Sequence, residues 1–503
     1  MFNKFTFKRF VNLVTFFIVA GFLLIGCAPV GPDYKKVGFE TPDNWSTQME
    51  RGLDMSQPKP NTLAEWWKVF NDPTLEKLQE KAVSDNKDLK MALSRIRQAR
   101  YMRGITKSNL FPQLDATGTV QSTMGSENMG SPSGGTERKY YMAGFDVAWE
   151  LDIFGGLRRS VEAAQAELEA MFADFNDVYI TLMSEVALNY IEACMYQNQL
   201  SILYQNVDIQ RKTYELNKSR YKSGIIDELV LQQSLTNLNQ SMSQIPPLVA
   251  MLSAAKNRIA ILIGEMPENI DTYLPEIGEI PNVPLQVAVG IPAETLRRRP
   301  DIRRAERYLA AQTARIGVAT AELYPKFQLP GTIGIEAIKF DNFFESDSLF
   351  WNVGPIFSWK LFSAGAVRLG IKLETEKQKE ALLNYETTVL KALQEVEDAL
   401  KDYMEEQKRY DSLSEAVKAA RRTEMLAVDK YKAGLTDFYV VMDAQRTLLD
   451  LENQLVQSKG KISTNLARLY KALGGGWKGM NEYLEENLQP SESKEILEIS
   501  KSK

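Results

Sequence analysis

Two stretches of this chain, 210 residues apart, carry nearly the same sequence: Tyr221-Lys222-Ser223-Gly224-Ile225-Ile226-Asp227 returns as Tyr431-Lys432-Ala433-Gly434-Leu435-Thr436-Asp437. Each interrupts what otherwise reads as one very long helical pattern. The glycine suits the left-handed residue that stops an incoming helix. Thr436 or Asp437 suits the N-cap of the outgoing one. Each stretch is therefore the tip of a helical hairpin.

The rest of the chain repeats around the tips. Asp301-Ile302-Arg303-Arg304-Ala305 matches Asp88-Leu89-Lys90-Met91-Ala92, and Tyr324-Pro325 matches Phe111-Pro112, both at an offset of 213. Trp359, Leu361, Gly365 and Arg368 match Trp149, Leu151, Gly155 and Arg158, and Leu473-Gly474 matches Ile263-Gly264, at 210. A steady offset across separate elements marks an internal duplication. Each half reads as helix, two strands, long helix, tip, returning helix.

The long helices carry seams of apolar residues spaced by three and four. Leu168, Phe172, Phe175, Tyr179, Leu182 and Val186 form one. Leu382, Tyr385, Val389, Leu393, Val396, Leu400 and Tyr403 form the other, a coiled-coil pattern. Pro246-Pro247 should kink the first returning helix. Between helices the period drops to two. Leu114, Ala116, Gly118 and Val120 alternate with polar partners, as do Phe145, Val147 and Trp149, then Phe327, Leu329, Ile333 and Ile335, then Val353, Phe357, Trp359 and Leu361. Strands of about ten residues suit a tilted crossing of a bilayer. Four strands cannot close a barrel, and an open edge in lipid leaves unpaired backbone groups that cost several kcal/mol each. Such a chain must oligomerise.

The first residues read as an export signal. Lys4, Lys8 and Arg9 precede an apolar run from Val11 to Leu24, too short to span a membrane comfortably. Leu24-Ile25-Gly26-Cys27 resembles a bacterial lipobox, and Ala28 after the cysteine fits an outer-membrane address. Composition closes off other classes. There are no histidines and two cysteines, which removes the commonest general base and metal ligand. A net charge of −5 argues against nucleic acid. No nucleophile–base pair, phosphate loop or metal-ligand spacing is present, so no catalytic or metal site is expected, nor any cofactor besides lipid.

Several motifs resemble the TolC-like outer membrane factors of tripartite efflux systems, in their lipoprotein, nodulation-T-type branch. They are Val30-Gly31-Pro32-Asp33-Tyr34, Trp66-Trp67 with Phe70 and Asp72-Pro73, Arg298-Arg299-Pro300-Asp301, and Tyr431-Lys432-Ala433-Gly434 with Asp443-Ala444-Gln445-Arg446. The resemblance implies a mainly α chain with a transmembrane β-barrel. Duplicated hairpins would form a periplasmic α-barrel, and four strands per chain would complete a twelve-stranded barrel in a homotrimer. It implies an outer-membrane exit duct, docked to a periplasmic adaptor (membrane fusion) protein and an RND-type inner-membrane pump. The alternatives are a type I secretion duct and a non-conducting coiled-coil structural lipoprotein. Cys27 would carry S-diacylglycerol and N-palmitoyl groups. Asp443 matches the family's pore-constricting acidic position and Tyr439 an apolar constriction position. Gln233 stands where the first tip would need its own Asp443. Tyr221, Gly224, Tyr431 and Gly434 would face the adaptor. Arg298, Arg299 and Asp301 read as capping and interface ion pairs, and Cys194 as a small buried residue.

The expected organisation is a signal peptide (1–26), a lipidated tether (27–72), a first repeat (73–263, strands within 113–152, tip 220–230) and a connector (264–292). A second repeat (293–473, strands within 326–361, tip 431–438) and a tail (474–503) follow. Tether, connector and tail would together form an equatorial domain.

Overall fold

The computed structural model describes residues 29–39, 41–56, 63–129, 134–276, 278–284 and 286–476. The signal peptide, Cys27 and the tail from residue 477 lie outside the described residues.

In chain order the elements are β1 (Leu53–Asp54), a 3-10 turn at Trp66–Phe70, α1 (Pro73–Asp85), α2 (Lys87–Ser108), β2 (Gln113–Met124), β3 (Glu137–Leu151) and α3 (Gly156–Lys222). Then come α4 (Glu228–Met242), α5 (Ile245–Leu262), β4 (Val287–Ala288), α6 (Pro292–Arg298) and α7 (Pro300–Ala321). The chain closes with β5 (Lys326–Ala337), β6 (Leu349–Val353), β7 (Ile356–Ser358), α8 (Ala366–Lys432) and α9 (Phe438–Ala472). The chain divides into two compact units. The first holds the described residues up to Gly38 with Arg95–Met171 and Arg304–Tyr385; the second holds the remainder.

In the first unit a sheet runs β2-β3-β5-β6, antiparallel throughout, with β7 also on β5. Its register puts Leu114 opposite Val147, Phe145 opposite Ile333 and Ile333 opposite Trp351, so the large apolar side chains share one face. That face is uncovered: Val120 is 80% exposed and Trp351 70%. The other face is hydrogen-bonded. Asp146 accepts from the Thr117 and Thr332 hydroxyls, each at 2.7 Å, and Tyr140 donates to Glu336 at 2.7 Å. The duplication survives in detail. The Trp149 indole donates to the Leu110 carbonyl and the Trp359 indole to the Leu323 carbonyl, each at 3.0 Å.

The fourth strand departs from expectation. It breaks at Gly354-Pro355 into β6 and β7, and Trp359 and Leu361 lie past its end. Proline has no N–H to give β5 at that point. In the same unit residues 29–34 are seated on α3 and α7. Arg159 donates to the Val30 carbonyl at 3.1 Å and the Asp33 carboxylate at 2.6 Å. Gly31, at φ +90°, passes so close to Gly317 that a Cβ would stand 2.4 Å from its Cα. Tyr34 donates to Glu306 at 3.0 Å, under the Arg307 guanidinium.

In the second unit most of the seam residues of α3 and α8 are buried, Val186 and Leu400 completely, with Phe172 and Leu393 half-buried. Trp66 stacks on Tyr470 at 5.7 Å. Asp72 caps α1 through the Thr74 and Leu75 amides and also accepts from Tyr190 at 2.8 Å. Three expected continuous helices are divided. Asn86 separates α1 from α2: its side chain accepts from the Leu89 amide, as an N-cap does, and donates to the Leu262 carbonyl, each at 2.9 Å. Arg299 separates α6 from α7, held extended (ψ 126°) by the proline after it. Pro246-Pro247 does more than kink: α4 ends at Met242 and α5 begins afresh at Ile245. The equivalent residues 456–457 carry no proline, and α9 runs unbroken for 35 residues.

Tether and connector meet in this unit. β1 pairs in parallel with β4, and the Trp45 indole donates to the Gly290 carbonyl at 2.9 Å. The tether is also fastened to α8, where Glu397 accepts from the Thr47 hydroxyl at 2.6 Å and Arg51 pairs with Asp411 at 2.5 Å. Gln197 and Asn198 of α3 donate to the connector carbonyls of Pro275 and Gly278, and Ser463 of α9 to that of Pro281.

Cys194 is buried where a Cβ on Gly278 would touch its sulfur. Burial pushes its thiol up to about 12, so it stays protonated at neutral pH. A maleimide at pH 7.5 is expected to leave Cys194 unlabelled in the folded protein and to label it fully in denaturant. Rapid labelling of the folded protein would show that this seam opens readily.

Candidate functional site

Both tips are built the same way. At the first, the Gly224 amide returns to the Tyr221 carbonyl and the Ile225 amide to that of Arg220, each at 2.9 Å. At the second, Gly434 returns to Tyr431 at 3.1 Å and Leu435 to Lys430 at 2.9 Å. The glycines sit at φ +70° and +74°, with open space where a Cβ would go. The conformation requires them there, not crowding; any other residue would pay roughly 1–2 kcal/mol. Ile225 and Leu435, the next residues, are 69% and 75% exposed, so each tip presents an uncovered apolar side chain.

The outgoing turns differ. Asp227 caps α4 with a bond from the Val230 amide at 3.2 Å, whereas Asp437, at the same position, makes no side-chain cap bond. The two tyrosines differ more. Tyr221 is exposed. Tyr431 packs on Phe438, with the Arg220 guanidinium 5.3 Å over its ring, and donates to Asn217 at 2.9 Å. Of the four residues expected to face an adaptor, Tyr431 is thus turned inward, where it ties the second hairpin to the first. Its partner Asn217 is fully buried and accepts through its side-chain oxygen, while its amide nitrogen has no hydrogen bond.

Asp443 and Tyr439 lie one turn apart on α9 and share an exposed face, opposite the buried Phe438, Val441 and Ala444. Arg446, a further turn on, donates to Asp443 at 3.2 Å. Both partners are exposed, so the pair contributes little to stability and leaves Asp443 available. Gln233 is half-buried.

Arg298 pairs with Glu294 on its own helix. Arg299 is buried: it donates to Asp301 at 2.7 Å, to Glu395 of α8 at 2.6 Å and to the Ala472 carbonyl ending α9 at 2.9 Å. Burial alone would lower its pKa, but Asp301 and Glu395 raise it. The sequence alone singles out neither Asn217 nor the Arg446 pair. Asn217 matches no twin residue in type, so the repeat carries no signal for it. Among the described residues no cluster of His, Cys, Asp or Glu could hold a metal.

Residues 78–265 and 291–475 match the family model described as outer membrane efflux protein. The chain is 29% identical to a nodulation protein T of Rhizobium leguminosarum bv. trifolii, over 93% of this chain and 98% of that one. It is 27% identical to a probable outer membrane lipoprotein, SilC, of Salmonella typhimurium, over 91% and 97%. The solved outer-membrane channel OprN superposes with a TM-score of 0.81 at 34% identity, covering 89% of this chain and 99% of that one.

Proposed function

Since the chain belongs to the outer membrane efflux protein family, we propose that three copies work as one gated duct, lipid-anchored through Cys27 and opened at the tips by a periplasmic adaptor and an RND-type pump. The chain is the outer-membrane exit component of an efflux system, of the nodulation-T type. Its family is made up of channels.

The observation that carries the duct is the sheet. One face is apolar and uncovered, the other carries satisfied polar groups, and among the described residues the outer edges of β2 and β6 are unpaired. Three such sheets joined edge to edge would close a twelve-stranded barrel with lipid outside and water inside. Energy for export would come from the pump. Asp443 and Tyr439 would narrow the closed tip around the trimer axis, and the Tyr431–Asn217 bond would hold the two hairpins together there. Ile225 and Leu435, with Gly224, Gly434 and Tyr221, would meet the adaptor.

The test is a planar-bilayer recording of the purified protein with a crosslinked-mass measurement of its oligomer. Trimers with a low closed-state conductance are expected; a monomer, or no conductance under any condition, rules the duct out. Tyr431→Phe removes the hydroxyl from a buried amide, a loss of about 1–3 kcal/mol. It should raise the closed-state conductance and the rate of protease cutting at the tips. A silent Tyr431→Phe would mean that this bond is no latch.

A further inference from the structure

The second unit contains a groove, about 680 Å³ in volume, between α3, α5 and α9. Its floor is apolar: Leu188, Ile191, Met195, Leu248 and Met251. Its walls are charged. Glu192 is already satisfied, accepting from Tyr196 at 2.8 Å and paired with Arg258, which also donates to Asn189 at 2.5 Å. On α9, Lys461, Thr464 and Arg468 follow at intervals of three and four and line the same wall. Among the described residues neither Lys461 nor Arg468 is paired with a carboxylate, and the half-buried Glu185 opposite forms no ion pair either. The lining charges balance, but Glu192 is neutralised by Arg258 behind it, which leaves Lys461 and Arg468 against Glu185 alone over the apolar residues.

All three helices turn this groove away from the connector. On α3, Gln197 and Asn198 hold the connector, whereas Tyr196 and Gln199 point to the opposite side and line the groove. On α5, Lys256 pairs with Asp271 of the connector at 2.7 Å, whereas Arg258, two residues on, reaches Asn189 and Glu192, which line the groove. On α9, Ser463 bonds the connector and Lys461 and Arg468 do not. If the connector belts the outside of the helical layer, the groove opens on the inside. That step rests on the duct reading.

We propose that this groove is a binding site on the inner wall for an amphipathic organic anion: an acidic headgroup between Lys461 and Arg468, an apolar body on Met195 and Met251. The headgroup would gain two charge-assisted contacts, and Thr464 stands between the two cations on the same helix face. A cation of the same shape would lack a free carboxylate other than Glu185 and would meet two like charges.

The trimer in nanodiscs, titrated calorimetrically with 2-naphthalenesulfonate, tests this. Saturable binding is expected, with affinity about tenfold or more weaker in the Lys461→Gln/Arg468→Gln double variant and tighter in Glu185→Gln. The 2-naphthyltrimethylammonium cation should bind poorly to the original protein. Equal binding of anion and cation, or unchanged anion affinity in the double variant, overturns the site. Bilayer conductance of the same preparations separates the two readings. A conducting protein without saturable anion binding loses the site and keeps the duct. A protein that never conducts, even with the tip opened by substitution, loses the duct, and the wall is then no tunnel wall.

Discussion

Arg299→Ala is expected to cost the folded chain roughly 2–3 kcal/mol, the usual effect of losing charge-assisted hydrogen bonds from a guanidinium that is itself buried. The reason is local. Asp301, Glu395 and the Ala472 carbonyl all depend on this one guanidinium. Arg299 therefore joins the start of α7 to α8 and to the end of α9. Without it, the half-buried Asp301 and the more exposed Glu395 would lose their shared counter-charge, and the Ala472 carbonyl in the last turn of α9 would lose its donor. The melting temperature in detergent should fall by a few degrees. Arg299→Lys should recover only part of the loss, because an ammonium lacks the flat fork that reaches several acceptors at once. An unchanged melting temperature for Arg299→Ala would mean that water takes over all three contacts.

Asp443→Ala is expected to raise the closed-state conductance several-fold while leaving the melting temperature nearly unchanged. The two expectations come from the same placement. Asp443 sits on the exposed face of α9, and its partner Arg446 is equally exposed, so little folding energy depends on it. In a trimer that face would turn three carboxylates and three Tyr439 rings toward the axis. Gln233→Ala, at the twin position, serves as the control and should change nothing. If Asp443→Ala leaves the current unaltered, or if Gln233→Ala raises it equally, the constriction lies elsewhere.

The duplication makes most of the architecture legible in the sequence itself. It locates both tips within a residue or two and pairs four strands with two rods; Asp443 is singled out by the family resemblance, and the repeat only sets Gln233 opposite it. The seams of α3 and α8 read directly from their three-and-four spacing, because a coiled-coil core obeys a strict period. What stays hidden depends on single residues that the period does not register. Asn86 looks like any polar residue within a helix, yet its backbone amide closes one helix while its side chain starts the next and holds the end of a third. Pro355 is in plain view, but a break in one strand of a two-residue alternation can be taken for a bend. The tip tyrosines show the limit of arguing from a repeat. Tyr221 and Tyr431 are alike in sequence context, and only the contacts with Asn217, Arg220 and Phe438 turn one inward and leave the other at the surface.

The two rods, α3 and α8, are each 67 residues long, and their start points, glycine stops and outgoing caps all keep the offset of 210. That equality is a mechanical tolerance. One extra residue in a single rod would advance its tip by about 1.5 Å and swing it by about 100° about the helix axis, carrying Tyr431 away from Asn217 and Asp443 off its face. The length of one rod is thus a gauge for the other. A longer reach would therefore call for matched insertions in both halves of the chain, in steps near a heptad so that the seams keep their faces.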